Sequence, residues 1–159
     1  MGLFNFKGKT DFYAPVTGEL VDLKDVSDEV FASGAMGEGY GVNPKDSTIY
    51  SPVKGQISQL FPTKHAVGLQ CGKMEVLVHI GIDTVDLKGK PFETLVKVGD
   101  KVDNSTPLVK VDFDQIKQAK KDPVTLVMIT NSKDVIKNFQ SLVAAKTEVN
   151  HDTKVAETK

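Results

Sequence analysis

The stretch Phe61-Pro62-Thr63-Lys64-His65-Ala66-Val67-Gly68-Leu69-Gln70-Cys71-Gly72-Lys73-Met74-Glu75-Val76-Leu77-Val78-His79-Ile80-Gly81-Ile82-Asp83 sets two runs of strand-favouring residues on either side of a turn that contains glycine. It reads as a β-hairpin. With Cys71 to Lys73 as a three-residue loop, Leu69 faces Glu75, Val67 faces Leu77 and His65 faces His79. Directly opposed side chains hold their β-carbons about 4.5–5.5 Å apart, close enough for two imidazoles to address one phosphoryl group, metal ion or water. Met74, Val76, Val78, Ile80 and Ile82 form an apolar row that must face the core, which turns His79 outward beside Leu77 and Gly81.

Outward from the hairpin, short runs rich in Val, Ile, Leu and Phe, separated by Gly, Pro, Asp and Asn, recur from Phe12 to Thr130. This pattern predicts an all-β fold with a few short helical turns. Ala14-Pro15-Val16-Thr17-Gly18-Glu19-Leu20-Val21 is echoed 37 residues later by Ser51-Pro52-Val53-Lys54-Gly55-Gln56-Ile57-Ser58, so two similar β-units are expected to pack together. Short strands bracketing Gly99-Asp100 resemble the turn of biotinyl and lipoyl hybrid domains, and Val124 to Ile129 supplies a late strand. Asp112 to Lys120 is expected to form a short helix capped by Asp112 or Asp114 and stopped before Pro123. The expected organisation is a loose tail at 1–10, one domain at 11–150 and a loose tail at 151–159 that includes His151.

The chain has 159 residues and a mass of 17.3 kDa, the size of one compact domain. At 40% hydrophobic and 26% charged it can bury a core, which excludes collagen-like, coiled-coil and wholly disordered chains. No apolar stretch approaches the roughly 18 residues that a spanning helix needs, and Met1 to Thr10 lacks the apolar run of a secretory signal, so a cytoplasmic location is expected. With 20 basic groups against 21 acidic ones, no net field favours nucleic acid or an anionic membrane. Every basic residue is Lys, so phosphate would not be gripped by arginine forks. The single cysteine, Cys71, forms no internal disulfide and has no partner for a thiolate zinc site.

Other chemistries lack their residues. A zinc hydrolase needs a third ligand beside His65 and His79, yet there is no His-x-His or His-Glu-x-x-His, and no metal is expected. Neither Cys71 nor any serine sits in a nucleophile-elbow pattern. The cluster Gly34-Ala35-Met36-Gly37-Glu38-Gly39-Tyr40-Gly41 has no Gly-Lys-Ser/Thr ending and is followed by Asn43-Pro44, so it is read as a flexible loop, not a phosphate cradle.

Pro62-Thr63-Lys64-His65-Ala66, followed by Val76-Leu77-Val78-His79-Ile80-Gly81-Ile82-Asp83-Thr84-Val85, resembles the glucose-type enzyme IIA (EIIA type-1 domain) of the bacterial phosphoenolpyruvate-dependent sugar phosphotransferase system. The resemblance extends to Ala14–Gly18, Asp25–Ala32 with the glycine cluster after it, Ser51–Gly55 and Val98–Val102, and so covers roughly Asp11 to Asn150. It implies an antiparallel β-sandwich of the duplicated hybrid type. It also implies that His79 takes a phosphoryl group from the histidine-containing phosphocarrier protein and passes it to the IIB domain of a sugar permease, as a phosphotransferase component with a phosphohistidine intermediate and no required cofactor. His65 corresponds to a supporting histidine and Thr63 to a threonine that orients it. Asp28 and Asp83 correspond to acidic residues flanking the site, and Phe31, Met36, Phe61, Leu77 and Val85 to the apolar surface on which partners dock. Several relatives have a longer amphipathic amino-terminal segment than Met1 to Lys7, so no stable membrane insertion is expected.

The implied chemistry is attack of neutral His79, through Nε2, on phosphorus to give a phosphoramidate. His65 would donate a hydrogen bond to a phosphoryl oxygen as charge moves there. The alternative is a regulatory binding protein whose phosphorylation state controls transporters or metabolic enzymes. A zinc-dependent peptidase on a similar scaffold is a third and weaker option.

Overall fold

The computed structural model describes residues 9–159. The expected tail at 1–10 therefore lies mostly outside the described residues; its last residue, Thr10, already belongs to a strand. The chain runs through β1 (Thr10–Tyr13), β2 (Gly18–Asp22), α1 (Glu29–Ala32), β3 (Glu38–Pro44), β4 (Thr48–Tyr50), β5 (Gly55–Leu60), β6 (Ala66–Cys71) and β7 (Met74–Ile80). It continues through β8 (Phe92–Thr94), β9 (Lys101–Val102), β10 (Pro107–Val111), α2 (Phe113–Gln118), β11 (Thr125–Ile129), α3 (Ser132–Val135), β12 (Phe139–Ser141), β13 (Glu148–Val149) and β14 (Lys154–Thr158). Short 3-10 turns occupy Leu23–Asp25 and Thr84–Leu87.

Every strand pairing is antiparallel. An eight-stranded sheet in the order β13-β2-β3-β11-β7-β6-β5-β9 is accompanied by two three-stranded sheets, β1-β14-β12 and β4-β10-β8. The result is a β-sandwich. Met74, Val76, Val78 and Ile80 on β7, Ile57 on β5, Val67 and Leu69 on β6 and Leu108 and Val109 on β10 share one buried core, as the alternation in β7 requires. Ile82, expected in the same row, follows the left-handed turn at Gly81 and joins a separate small core instead. The predicted helix after Val111 is α2, capped by Asp112, whose carboxylate accepts from Asp114 N and Gln115 N.

The sequence echo marks a true duplication. Tyr13 N donates to Pro52 O at 2.8 Å and Tyr50 N donates to Pro15 O at 2.7 Å, two bonds that exchange when the repeat units exchange. The duplication reaches the carboxy-terminal part at a different offset. Val102 pairs Gly55 as Val149 pairs Gly18, and Thr106 N donates to Asp103 O as Thr153 N donates to Asn150 O. The two-fold relation passes through the pairing of Val78 with Val127.

Three further expectations are corrected. Residues 151–159 are not a loose tail: β14 is the central strand of its sheet, with Val155, Ala156 and Thr158 almost fully buried. His151 stacks on Tyr50 with ring centroids 3.8 Å apart, and its Nδ1 lies 2.9 Å from Asn104 O. The glycine cluster is not one flexible loop, because Gly39 and Gly41 lie within β3, and a Cβ on Gly39 would strike Val127 O of β11. The hairpin turn holds two residues, not three. Cys71 pairs Met74 around Gly72-Lys73, with Gly72 at a φ of +58°, a left-handed conformation that suits glycine at the first position of a tight hairpin turn. His79 therefore opposes Ala66, not His65.

Candidate functional site

The two histidines meet despite the altered register. β6 begins at Ala66, and the chain before it turns through Phe61 to Lys64, where Lys64 N donates to Phe61 O and Lys64 takes a left-handed φ of +61°. A regular strand would place His65 on the face opposite His79. The bend at Lys64 frees His65 from that alternation. Their ring centroids lie 5.0 Å apart and the rings are nearly perpendicular, at 82°. Thr63 Oγ1 and His65 Nδ1 share a hydrogen bond of 2.7 Å, and Phe61 sets its ring edgewise to His65 at 5.6 Å. His65 is buried, at 7% exposure.

His79 is half-buried near the end of β7, where Gly81 turns the chain at a φ of +79°. A Cβ there would collide with the methyl group of Thr84, so the bend requires glycine. Phe31 of α1 lies against the His79 ring with centroids 5.1 Å apart. Nδ1 of His79 is sealed from solvent with no partner in good hydrogen-bond geometry, the Gly81 backbone being the polar group that acts on the ring, and this leaves Nε2 as the nitrogen for chemistry. Burial, then the neighbouring His65 ring, depress the His79 pKa to about 4, against smaller opposing effects of the Gly81 backbone, Asp28 and Asp83. Burial lowers the pKa of His65 as well. Both imidazoles are neutral near pH 7, and a neutral imidazole has a free lone pair.

The duplication explains why this half of the sheet is open. Exchanging β7 and β11 about Val78 and Val127 places Met128 where His79 stands and Leu126 where Leu77 stands. Leu126 and Met128 are fully buried in a small second core with Ile82 and Val124, against which Leu23, Val26, Phe31 and Met36 pack. That cover comes from the long connection between β2 and β3. The corresponding connection, between β5 and β6, is only the turn at 61–65 that carries Thr63 and His65. A groove of about 370 Å³ remains on the uncovered side, lined in part by Gln59, Phe61, Leu69, Gln70, Glu75 and Leu77.

Phe31, Phe61 and Leu77 thus gather around the histidine pair, while Met36 lies in the second core that Leu77 borders. Val85 is 46% exposed on the turn after β7. Asp28 caps α1, accepting from Val30 N at 2.8 Å and Phe31 N at 3.2 Å, so its carboxylate has a structural task as well as an electrostatic one. Asp83 is exposed in a left-handed turn just beyond the strand that carries His79. Val30, an apolar side chain 55% exposed on α1, went unnoticed in the sequence. Its signal was its place between the capping Asp28 and Phe31. Among the described residues no three His, Cys, Asp or Glu side chains converge as a metal-ligand set.

Residues 10–135 match the family described as phosphoenolpyruvate-dependent sugar phosphotransferase system, EIIA 1. The chain is 44% identical over 142 residues to the glucose-specific EIIA component of the phosphotransferase system of Staphylococcus epidermidis, with 86% of each chain covered. It is 46% identical over 121 residues to the corresponding component of Staphylococcus aureus, covering 76% of this chain and 73% of that one. The solved structure of glucose permease IIA from Mycoplasma capricolum superposes with a TM-score of 0.82 at 32% identity, covering 98% of this chain and 99% of that one. Fold and matches together define the class, a phosphoryl-carrier domain of a sugar phosphotransferase system. Within that class the chain belongs to the EIIA 1 family and is a IIA component, a phosphotransferase part of sugar transport. The regulatory-protein alternative is not favoured by these matches.

Proposed function

We propose that His79 is the phosphoryl acceptor of this IIA component, that the donor is the histidine-containing phosphocarrier protein and that the recipient is the IIB domain of a sugar permease. The observation that carries this reading is a neutral His79, its Nδ1 sealed, 5.0 Å from a second imidazole anchored by Thr63. Nε2 of His79 attacks phosphorus as the donor's P–N bond breaks, and the electron pair of that bond returns to the donor imidazole. Transfer to IIB repeats the exchange with His79 as the leaving group. With the Thr63 hydroxyl donating to Nδ1, His65 carries its proton on Nε2 and can donate it as a hydrogen bond to a phosphoryl oxygen.

Phosphoryl charge is met by imidazole, main-chain donors and cations of the partner, since this chain has no arginine. The reading calls for no metal or other cofactor. Phe31, Phe61, Leu77 and Val85 form the apolar floor and rim on which partners dock, and Asp28 and Asp83 steer their basic groups. The setting of such a relay is the cytoplasm, where the phosphocarrier protein and the IIB domain operate. The names of the relatives favour glucose as the sugar served. The test is reconstitution with phosphoenolpyruvate, enzyme I, the phosphocarrier protein and a glucose permease carrying IIB. Glucose phosphate should form only when this chain is present, and its formation at the same rate without the chain would contradict the proposal.

A further inference from the structure

The segment that covers Leu126 and Met128, and whose Phe31 borders His79, is tied to the rest of the fold at one polar point. Ser27 Oγ donates to Asp122 Oδ2 at 3.0 Å, joining the segment that leads into α1 to the loop that leads into β11. Ser27 immediately precedes Asp28, the cap of α1, and α1 places Phe31 on the His79 ring. Asp122 also fixes the chain just beyond His79. Its Oδ1 accepts from Val124 N at 2.9 Å, and its carbonyl accepts from Ile82 N at 2.9 Å, just beyond His79 in sequence.

Other hydrogen bonds made by residues 23–36 are local, such as Ala32 N to Asp28 O, Ser33 N to Glu29 O and Gly34 N to Phe31 O. Among the described residues, Ser27 to Asp122 is the only hydrogen bond from 23–36 to a distant part of the chain. α1 has four residues, none of them fully buried. A helix that short has little stability of its own and depends on what pins it. The apolar contacts of Leu23, Val26, Phe31 and Met36 supply the rest.

We propose that Ser27 and Asp122 form a clasp that keeps α1, with Phe31, against the His79 ring, and that both are positioning residues for its chemistry. The inference rests on the reading of His79 as the reacting group. With the clasp closed, Phe31 keeps water from the imidazole, Nδ1 stays sealed and Nε2 keeps its lone pair. One side-chain hydrogen bond shifts a local open–closed balance by about fivefold.

The test follows the three imidazoles by NMR in the full, unphosphorylated chain, without partner proteins, so that a failed phosphoryl relay would not affect it. The charged and titratable groups facing His79 are His65 from the 61–65 turn, Asp28 from α1 and Asp83 after β7; its neighbour on β11 is the apolar Leu126. Opening the cover relieves burial, the largest influence on His79, and also removes Asp28, which acts in the opposite and weaker sense. Ser27→Ala should therefore raise the His79 midpoint from about 4 toward the ordinary 6.5 and speed amide exchange in α1 about fivefold. Ser27→Thr, which keeps the hydroxyl, should titrate as wild type. Asp122→Ala should act like Ser27→Ala, but it also removes the acceptor of Val124 N and can unfold the loop, so Ser27→Ala decides. His79 titrating at its wild-type midpoint in Ser27→Ala would overturn the proposal.

Discussion

The partial burial of His79 has a thermodynamic consequence that needs no partner protein to detect. The perturbation is His79→Gln, compared with wild type across pH. In the unfolded chain the imidazole titrates near 6.5, and in the folded protein near 4, because burial penalises its charged form. Above pH 6.5 both states are neutral there and the residue adds no pH dependence. As pH falls below 6.5 the unfolded chain takes up a proton that the native state refuses, so native stability falls until the folded group itself titrates near 4. An interval of roughly 2.5 pH units at about 1.4 kcal/mol per unit amounts to about 3 kcal/mol. The assay is urea unfolding of both proteins at pH 7 and at pH 4. The variant pays the cost of a buried amide at both pH values, so that cost cancels in the comparison. Relative to wild type, His79→Gln should gain about 3 kcal/mol on going from pH 7 to pH 4. Parallel stability–pH curves for the two proteins would refute the reasoning.

Three further outcomes are expected. Val155 of β14 is 1% exposed, so Val155→Asp should destabilise the fold by about 3 kcal/mol or more in urea titrations, whereas a loose terminus would show no change. His65→Gln, which keeps a donor of similar reach, should leave phosphoryl acceptance largely intact and slow transfer to the IIB domain, measured by following labelled phosphate from one protein to the next. Thr63→Val removes the hydroxyl 2.7 Å from His65 Nδ1, so nitrogen-15 shifts of His65 should report a mixture of tautomers where wild type shows one.

Much of this arrangement is legible in the residues, and the exceptions have physical causes. The period-two row Met74, Val76, Val78 and Ile80 orients β7 correctly, because a strand with one buried face has no other way to stand, whereas Ile82 leaves the row at the Gly81 turn and joins the second core. The turn length is not legible in that way. Cys-Gly-Lys admits a two- or a three-residue connection, and only the left-handed φ of Gly72 in the folded chain selects the shorter. The histidine pair survives this error through Lys64, whose left-handed conformation is rare for lysine and carries no signal in composition.

β14 was missed for a different reason. Lys154-Val155-Ala156-Glu157-Thr158 is too short and too polar to stand out, and its likeness to Pro107-Leu108-Val109-Lys110-Val111 emerges only from the shared hydrogen-bond pattern. The cover over Leu126 and Met128 was equally hidden. The sequence signals that residues 23–36 hold apolar side chains, but which half of a duplicated sheet they shield is settled by topology. That asymmetry is what leaves His79 accessible while its counterpart Met128 is buried.

The central claim, that His79 carries the phosphoryl group, is tested most directly by intact-mass measurement. The chain is incubated with phosphoenolpyruvate, enzyme I and the phosphocarrier protein, then weighed at mildly alkaline pH beside His79→Ala. The account predicts one added phosphoryl group on wild type, lost on acid treatment, and none on the variant. Equal phosphorylation of His79→Ala, or no mass shift on wild type with active upstream proteins, would contradict it.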